Sequence, residues 1–172
     1  DAKVRRGSFD TQDIVTAQAS FFAFGDWGPA LPFVVVQLPL FIVFMAAVQA
    51  ELTQSPFDMP IAESEIVAGY QIEYSGFRFL VFFLAEFATA FAFGAVAAVL
   101  FLGGWAVPWL DTNSDWYYVL GPAVLFAKVM LVSFLIFWFR FTYPRFREDQ
   151  LQTIAWKFLI PLALVNIVIT GV

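Results

Sequence analysis

The chain has 172 residues, of which 61% are hydrophobic and 20% aromatic, while only 13% are charged. Soluble domains are about 45–50% apolar and about 25% charged, so this composition and a mean hydropathy of +0.78 indicate a membrane protein. The net charge of −5 argues against nucleic acid as a partner, because phosphate binding requires clustered Lys and Arg.

The chain contains neither cysteine nor histidine. This excludes disulfides, thiol chemistry, iron–sulfur clusters held by cysteine, haem held by histidine and most zinc sites. We expect no metal ligands, no bound cofactor and no catalytic residues in this chain. If the protein takes part in redox chemistry, the electron carriers lie in other subunits.

The first 26 residues are mixed in polarity, and we expect them to form an extramembrane or interfacial connection. Residues 10–22 read DTQDIVTAQASFF, which is typical of an amphipathic helix capped by Asp10 or Thr11, although a connection without such a helix fits equally well. The chain begins with Asp1 rather than Met and ends inside an apolar run, so we expect a piece of a longer protein.

Four apolar segments are each long enough to cross the ~30 Å hydrocarbon core of a bilayer. They cover about residues 27–50, 79–104, 117–139 and 154–172. Pro39 is expected to kink the first helix, and Gln37 and Gln49 are expected to hydrogen-bond to neighbouring helices. Small residues between 88 and 95 allow close helix packing in the second segment. The predicted fold of residues 27–172 is all-α and polytopic, because long unbroken apolar runs exclude a membrane barrel.

The connection 51–77 is acidic although it joins two strongly apolar segments. It contains the carboxylates Glu51, Asp58, Glu63, Glu65 and Glu73. A short helix is predicted from Asp58 to about Ala68, which would place Glu63 and Glu65 ~200° apart on its surface. Acidic loops are usually solvated, but the apolar neighbours here favour a partly buried segment that carries ions or protons.

Glu86 and Lys128 are single charges inside apolar segments. At about 1.5 Å per residue, Glu86 lies ~12 Å beyond Arg78, and Lys128 lies ~18 Å from Arg140. Charges at such depth are costly and often functional. Two interpretations remain: a static ion pair that fixes helix packing, or a proton relay, since burial disfavours the charged form of both groups.

The connection 140–157 is basic, with Arg140, Arg145, Arg147 and Lys157. These arginines either anchor a helix at the interface or contact an adjoining subunit. By the positive-inside rule, the acidic and basic connections both lie on the cytoplasmic or matrix side.

The string AELTQSPFDMPIAESEIVAGYQIEYSGFRFLVFFLAEF at 50–87 closely resembles the acidic connection of one membrane subunit family of complex I, called the H subunit in bacteria and subunit 1 in mitochondria. LFLGGW at 100–105 and RFTYPRFREDQLQTIAWKFLIPL at 140–162 continue the match in order and spacing. Members have eight membrane helices, and the resemblance implies that this chain holds the last four.

The resemblance also implies a function, which is proton-pumping NADH:quinone oxidoreduction. It implies a proton path through Glu51, Glu63, Glu65, Glu73, Glu86 and Lys128. It further implies that a quinone chamber or arm interface is bordered by Phe57, Asp58, Arg140, Arg145, Arg147 and Asp149. Quinone would be the substrate of the assembled complex, with NADH, FMN and iron–sulfur clusters in partner subunits.

The implied partners are the hydrophilic subunits of the quinone site, the neighbouring small membrane subunits and the lipid bilayer. The implied location is the bacterial plasma membrane, or the mitochondrial inner or thylakoid membrane. We expect that this chain alone does not bind quinone, because the first membrane helices of the family are absent. Alternatives are a homologous subunit of a membrane-bound hydrogenase, an independent ion or proton transporter, and a structural membrane anchor.

Overall fold

The computed structural model describes residues 10–21, 33–58, 73–106 and 115–171, and the longer elements in these ranges are helical. The helices are α1 (Thr11–Phe21), α2 (Phe33–Val36), α3 (Leu38–Glu51), α4 (Phe77–Phe101), α5 (Asp115–Thr142), α6 (Glu148–Ile154) and α7 (Ile160–Gly171). A π-helical turn, Ala155–Leu159, joins α6 to α7. The short helix predicted from Asp58 to about Ala68 lies outside the described residues.

Among the described residues, three helical segments are long and apolar enough to cross a membrane: Phe77–Phe101, Val119–Thr142 and Glu148–Ile169. The shorter apolar helix α3 has 14 residues and would extend about 21 Å, less than the ~30 Å hydrocarbon core. Large apolar side chains are widely exposed on the long helices. The all-α, polytopic membrane fold expected from the sequence is thus confirmed.

The first apolar segment is interrupted at Gln37, which separates α2 from α3 two residues before Pro39. Proline has no N–H to donate to the carbonyl of Val35, and its ring would crowd that carbonyl in a continuous helix. Pro39 is tolerated in the first turn of α3, where such an N–H has no intrahelical partner. The proline expected to bend this segment therefore lies directly beside a helix break.

The chain divides into two compact units. The first comprises Asp1–Leu38 and Phe93–Ser133, and the second comprises Pro39–Ala92 and Phe134–Val172. Buried apolar residues in the first unit are Val15, Ala97, Ala98, Phe101 and Val132. In the second unit they are Met45, Val48, Leu52, Phe57, Ala90 and Ile136.

Helices α4 and α5 approach closely within the first unit at Gly94. A Cβ atom built at Gly94 would lie 2.7 Å from Ser133 Oγ, so any larger residue requires a shift. The small residues at 88–95 are expected to permit such contact, and Gly94 confirms that expectation.

The expected helix near the N-terminus is present as α1. Gln12 donates its backbone N–H to Asp10 Oδ1 at 3.1 Å, which confirms Asp10 as the capping residue. Val15 and Gln18 on α1 are each 2% exposed, so one face of this helix packs into the first unit.

The basic connection is more helical than expected from the sequence. Helix α5 continues to Thr142 and α6 begins at Glu148, which leaves only residues 143–147 outside helices. The first turn of α6 contains acidic residues, whose negative charges interact favourably with the positive end of the helix dipole. Arg147 also donates its backbone N–H to Gln150 Oε1 at 3.3 Å, a contact that helps to begin the helix six residues before the expected Ile154.

Candidate functional site

Glu86 on α4 forms the centre of a polar cluster in the second unit. Arg140 donates from Nη1 to Glu86 Oε1 at 2.8 Å, and Gln54 donates from Nε2 to the same oxygen at 2.8 Å. We call these three residues the carboxylate centre. The Arg140 and Glu86 side chains are 26% and 17% exposed, so the pair lies largely within protein.

Aromatic packing sets the register between α4 and α5 at this point. Phe87, which follows Glu86, stacks on Phe137 with ring centroids 5.2 Å apart and an interplanar angle of 29°. Phe137 and Arg140 are three residues apart, so they share one face of α5. The stacked rings therefore hold Arg140 at the level of Glu86.

Gln54 reaches Glu86 from the turn after α3. Its backbone N–H donates to Gln49 O at 3.3 Å, and its carbonyl accepts the N–H of Phe57 at 2.8 Å. Thr53, directly before it, has a φ of 50°, in the left-handed region that non-glycine residues rarely adopt. With both backbone groups bonded and only 2% of the residue exposed, Gln54 is held firmly.

Gln49 is a second buried glutamine, 3% exposed, at the end of α3. It donates from Nε2 to Ile136 O on α5 at 2.6 Å. The expected hydrogen bond to a neighbouring helix is therefore confirmed. Gln49 joins α3 to α5 without a contact to Glu86.

An apolar cavity of about 310 Å³ lies in the second unit. Its wall includes Phe41, Met45, Gln49, Phe57, Phe146 and Leu159. Phe57 is buried and packs against Phe146 with ring centroids 5.9 Å apart. The lining does not include Glu86 or Arg140, so this cavity is separate from the carboxylate centre.

Lys128 on α5 is held by backbone carbonyls in the first unit. Its Nζ donates to Gly104 O at 2.8 Å and to Ala106 O at 2.9 Å. We call this group the lysine centre. The carbonyls belong to the loop that follows α4, where the helix dipole favours a cation.

Two glycines shape that loop. Gly103 and Gly104 have φ values of 73° and 51°, and the Gly104 N–H donates to Ala98 O at 2.9 Å, a bond typical of helix ends with a left-handed residue. Gln18 donates from Nε2 to Val99 O at 2.8 Å and to Leu100 O at 3.0 Å. Side chains from α1 and α5 thus satisfy carbonyls in and beyond the last turn of α4.

Two of the remaining predicted path residues, Glu51 and Glu73, are described, and neither belongs to these two centres. Glu51 is exposed at the end of α3, and Glu73 is exposed before α4. Glu63 and Glu65 lie outside the described residues. Among the described path residues, Glu86 and Lys128 are the ones for which the structure shows defined polar partners.

The predicted interface residues are also distributed. Arg140 belongs to the carboxylate centre, while Arg145 and Asp58 are half-buried. Arg147 and Asp149 form an exposed ion pair, with 3.4 Å between Nε and Oδ2. Within the described part of the chain, no group of three or more acidic side chains is placed to hold a metal ion.

Sequence reasoning missed Gln54 and the pairing of Glu86 with Arg140. Glutamine is common in loops, and nothing in the local pattern marks Gln54 as buried. Arg140 was expected at a boundary because it follows an apolar run. A signal was available, since an intramembrane carboxylate needs a donor, and Arg140 is the arginine at the end of the next span.

Comparison with known proteins identifies the family. The family model described as NADH dehydrogenase matches residues 3–171. The chain is 46% identical over 166 residues to the H subunit of NADH-quinone oxidoreductase from Anoxybacillus flavithermus, covering 96% of this chain and 45% of that protein. It is 45% identical over 166 residues to the corresponding protein of Brevibacillus brevis, with the same two shares, 96% and 45%, covered.

A third relative, the H subunit from Paramagnetospirillum magneticum, is 40% identical over 165 residues, covering 96% of this chain and 45% of that protein. The chain therefore spans a little under half the length of these relatives. The matching segment includes both centres and three helices able to cross a membrane. This chain is a multi-pass membrane protein and belongs to the NADH dehydrogenase family of complex I membrane subunits.

Proposed function

We propose that this chain is part of the membrane subunit of a proton-pumping NADH:quinone oxidoreductase and carries part of its proton path. Support comes from relatives that are named as the H subunit of NADH-quinone oxidoreductase and are 40–46% identical. The chain supplies no cysteine or histidine for the usual iron–sulfur or haem ligands. We propose that NADH, FMN and the iron–sulfur clusters are bound by partner subunits.

The carboxylate centre is the observation that carries this proposal. Glu86 lies in the tenth position of a 25-residue apolar helix and is held by Arg140 and Gln54. An ionisable group inside a membrane helix is costly unless it is paired. Arg140 and Gln54 supply this pairing, and we propose that the Glu86 carboxyl group exchanges a proton when the charge around it changes.

In the proposed mechanism, quinone reduction changes the local charge in the chamber. Coupled carboxylates then shift their protonation together, because the proton affinity of each depends on the charge of its neighbours. The path is proposed to include Glu51, Glu63, Glu65, Glu73, Glu86 and Lys128. Glu51 and Glu73 are exposed in this chain, so we propose that other parts of the complex cover them.

The quinone chamber is proposed to be shared with partner subunits. Residues proposed to border it or the arm interface are Phe57, Asp58, Arg140, Arg145, Arg147 and Asp149. Phe57 and Gln54 are linked by a backbone hydrogen bond, so a movement of the chamber wall at Phe57 would reach the carboxylate centre through a short, bonded turn. The acidic and basic connections are proposed to lie on the cytoplasmic or matrix side.

The decisive experiment is Glu86→Gln in the complete complex, reconstituted into vesicles. This substitution keeps the size of the side chain but removes the site that gains and loses a proton. We expect quinone-coupled proton transfer to fall by about 10²-fold, the lower end of the range for positioned proton donors and acceptors. Glu65→Gln is expected to act in the same direction.

Glu148→Gln is the matched control, because Glu148 is an exposed carboxylate in the first turn of α6. It should leave coupled proton transfer near the parent rate. Normal coupled rates in both Glu86→Gln and Glu65→Gln, in fully assembled complex, would contradict the proposed proton path.

A further inference from the structure

The two donors of the carboxylate centre converge on one oxygen of Glu86. Arg140 and Gln54 both bond to Oε1, each at 2.8 Å. Among the described residues, no hydrogen-bond partner is seen for Oε2. The two oxygens of this carboxyl group are therefore in unequal environments.

The Arg140–Glu86 pair is joined by a single hydrogen bond. Guanidinium and carboxylate groups frequently pair through two parallel hydrogen bonds, one to each oxygen. Here the hydrogen bond between the two groups runs from Nη1 of Arg140 to Oε1 of Glu86. The amide of Gln54 donates to the same oxygen, so it opposes any rotation of the carboxyl group that would carry Oε1 away from Gln54.

The orientation of the Gln54 amide follows from chemistry. An ionised carboxylate only accepts hydrogen bonds, so the atom facing Glu86 must be the donor Nε2. Gln54 is 2% exposed, and its backbone is bonded to Gln49 and Phe57. A group held in this way can fix the rotation of the carboxyl group.

We infer that Glu86 exchanges its proton at Oε2, and that Gln54 is a positioning residue that keeps this oxygen available. The inference rests on the proposed function, in which Glu86 carries protons. On uptake, a water molecule or a neighbouring carboxylic acid gives up a proton, an O–H bond forms at Oε2 and the negative charge of Glu86 disappears. Oε1 becomes the carbonyl oxygen and still accepts from Arg140 and Gln54.

On release, the O–H bond at Oε2 breaks and the proton passes to a water molecule or to the next carboxylate. Both donors keep their acceptor in either state, so the side chains need no rearrangement. Without Gln54, the carboxylate is free to turn and to offer both oxygens to Arg140. The ionised form would then be held more strongly, and Oε2 would no longer be open to the proton.

The test is Gln54→Met in the complete complex, because Met has a similar length and no N–H donor. Gln49→Met is the matched control, since Gln49 is also a buried glutamine of the second unit and bonds to Ile136 O instead. We expect Gln54→Met to lower kcat of proton-coupled quinone reduction about tenfold, the size of one lost hydrogen bond to a charged group. The quinone KM should not change.

Infrared difference spectra on quinone reduction provide a second readout. The carboxylic acid band that Glu86→Gln removes should be weakened in Gln54→Met and unchanged in Gln49→Met. A merely structural role would lower the amount of assembled complex without altering this band. If Gln54→Met does not assemble, Gln54→Asn replaces it, because its amide is one methylene too short to reach Oε1.

Three results would overturn the inference: an unchanged kcat with Gln54→Met, an unchanged carboxylic acid band, or an equal fall of kcat with Gln49→Met. The proposed function is tested separately, by Glu86→Gln. A normal coupled rate with Glu86→Gln removes Glu86 from the path, whereas a low rate with Glu86→Gln and a normal one with Gln54→Met refutes only the role of Gln54.

Discussion

The two intramembrane charges are held by opposite kinds of partner. Glu86 accepts from two side chains that come from different parts of the chain, whereas Lys128 donates to two backbone carbonyls of a single loop. Within the described part of the chain, one position in each centre has no hydrogen-bond partner: Oε2 of Glu86, and the third N–H of the Lys128 ammonium. Each group can therefore change by one proton while it keeps both of these hydrogen bonds.

The difference determines how each centre can be altered. Side-chain partners can be removed one at a time by substitution. A double variant that also neutralises the remaining partner leaves no unpaired charge. Backbone carbonyls cannot be removed in this way, and they move only when the loop moves. The carboxylate centre is thus sensitive to its side chains, and the lysine centre is sensitive to the conformation of Gly103 and Gly104.

The largest effect is expected from Arg140→Met, which leaves the Glu86 carboxylate with Gln54 alone. Removing one partner of a buried ion pair costs about 3–5 kcal/mol, and partial exposure of this pair favours the lower end. Reversible unfolding of the full-length subunit in mixed micelles measures the change. Adding Glu86→Gln should restore most of the stability, because the unpaired charge is gone. A double variant as unstable as Arg140→Met would refute this explanation.

A loss of about 2 kcal/mol is expected for Lys128→Met, because two carbonyl acceptors lose their donor and each such group costs about 1–3 kcal/mol when it is buried. Lys128→Gln is the comparison, since it has two N–H donors on a chain one bond shorter. If the carbonyls set the cost, Lys128→Gln should recover part of the unfolding free energy in the same assay. Equal losses in both variants would instead assign the cost to the missing charge.

Gly104→Ala tests the loop itself. The φ of 51° is unfavourable for alanine, and its Cβ would lie 2.8 Å from Val15 Cγ2, so we expect a loss of about 2 kcal/mol. Gly76→Ala is the matched control, with a φ of 61° and no atom within 4 Å of its Cβ. Gly76→Ala should therefore show the backbone strain alone, a loss of about 1 kcal/mol in stability. If the two variants have the same thermal midpoint, the contact with Val15 contributes nothing to stability.

The smallest effect is expected for Asp149→Asn. The Arg147 and Asp149 side chains are 82% and 81% exposed, and exposed ion pairs contribute about 0–1 kcal/mol. The unfolding free energy of the subunit should therefore change by less than ~0.5 kcal/mol. A larger loss that appears only in the assembled complex would place this pair in contact with another subunit.

The sequence was most informative where one physical term dominates. Long apolar runs predicted the membrane helices, because only a helix satisfies its own backbone inside lipid. The capping role of Asp10 and the inter-helix bond of Gln49 followed from equally local rules. The depth of Glu86 and Lys128 identified both as constrained groups.

The partners of these charges could not be predicted in the same way. The approach of Arg140 to Glu86 depends on the register between α4 and α5, which is set by ring packing such as that of Phe87 on Phe137. The burial of Gln54 depends on a turn with Thr53 at positive φ. The carbonyls that hold Lys128 carry no sequence signal, because every residue has one.

The π-helical turn at Ala155–Leu159 has a consequence for the direction in which side chains point. Ile154 and Leu159 both line the apolar cavity although they are five residues apart. In a regular α-helix, at 100° per residue, they would point about 140° away from each other. Because the wider turn bonds each residue to the fifth one along the chain, the two side chains stack on one side. One surplus residue thus rotates the whole of α7 about its axis, and a single deletion there would turn a different stripe of this helix toward its neighbours.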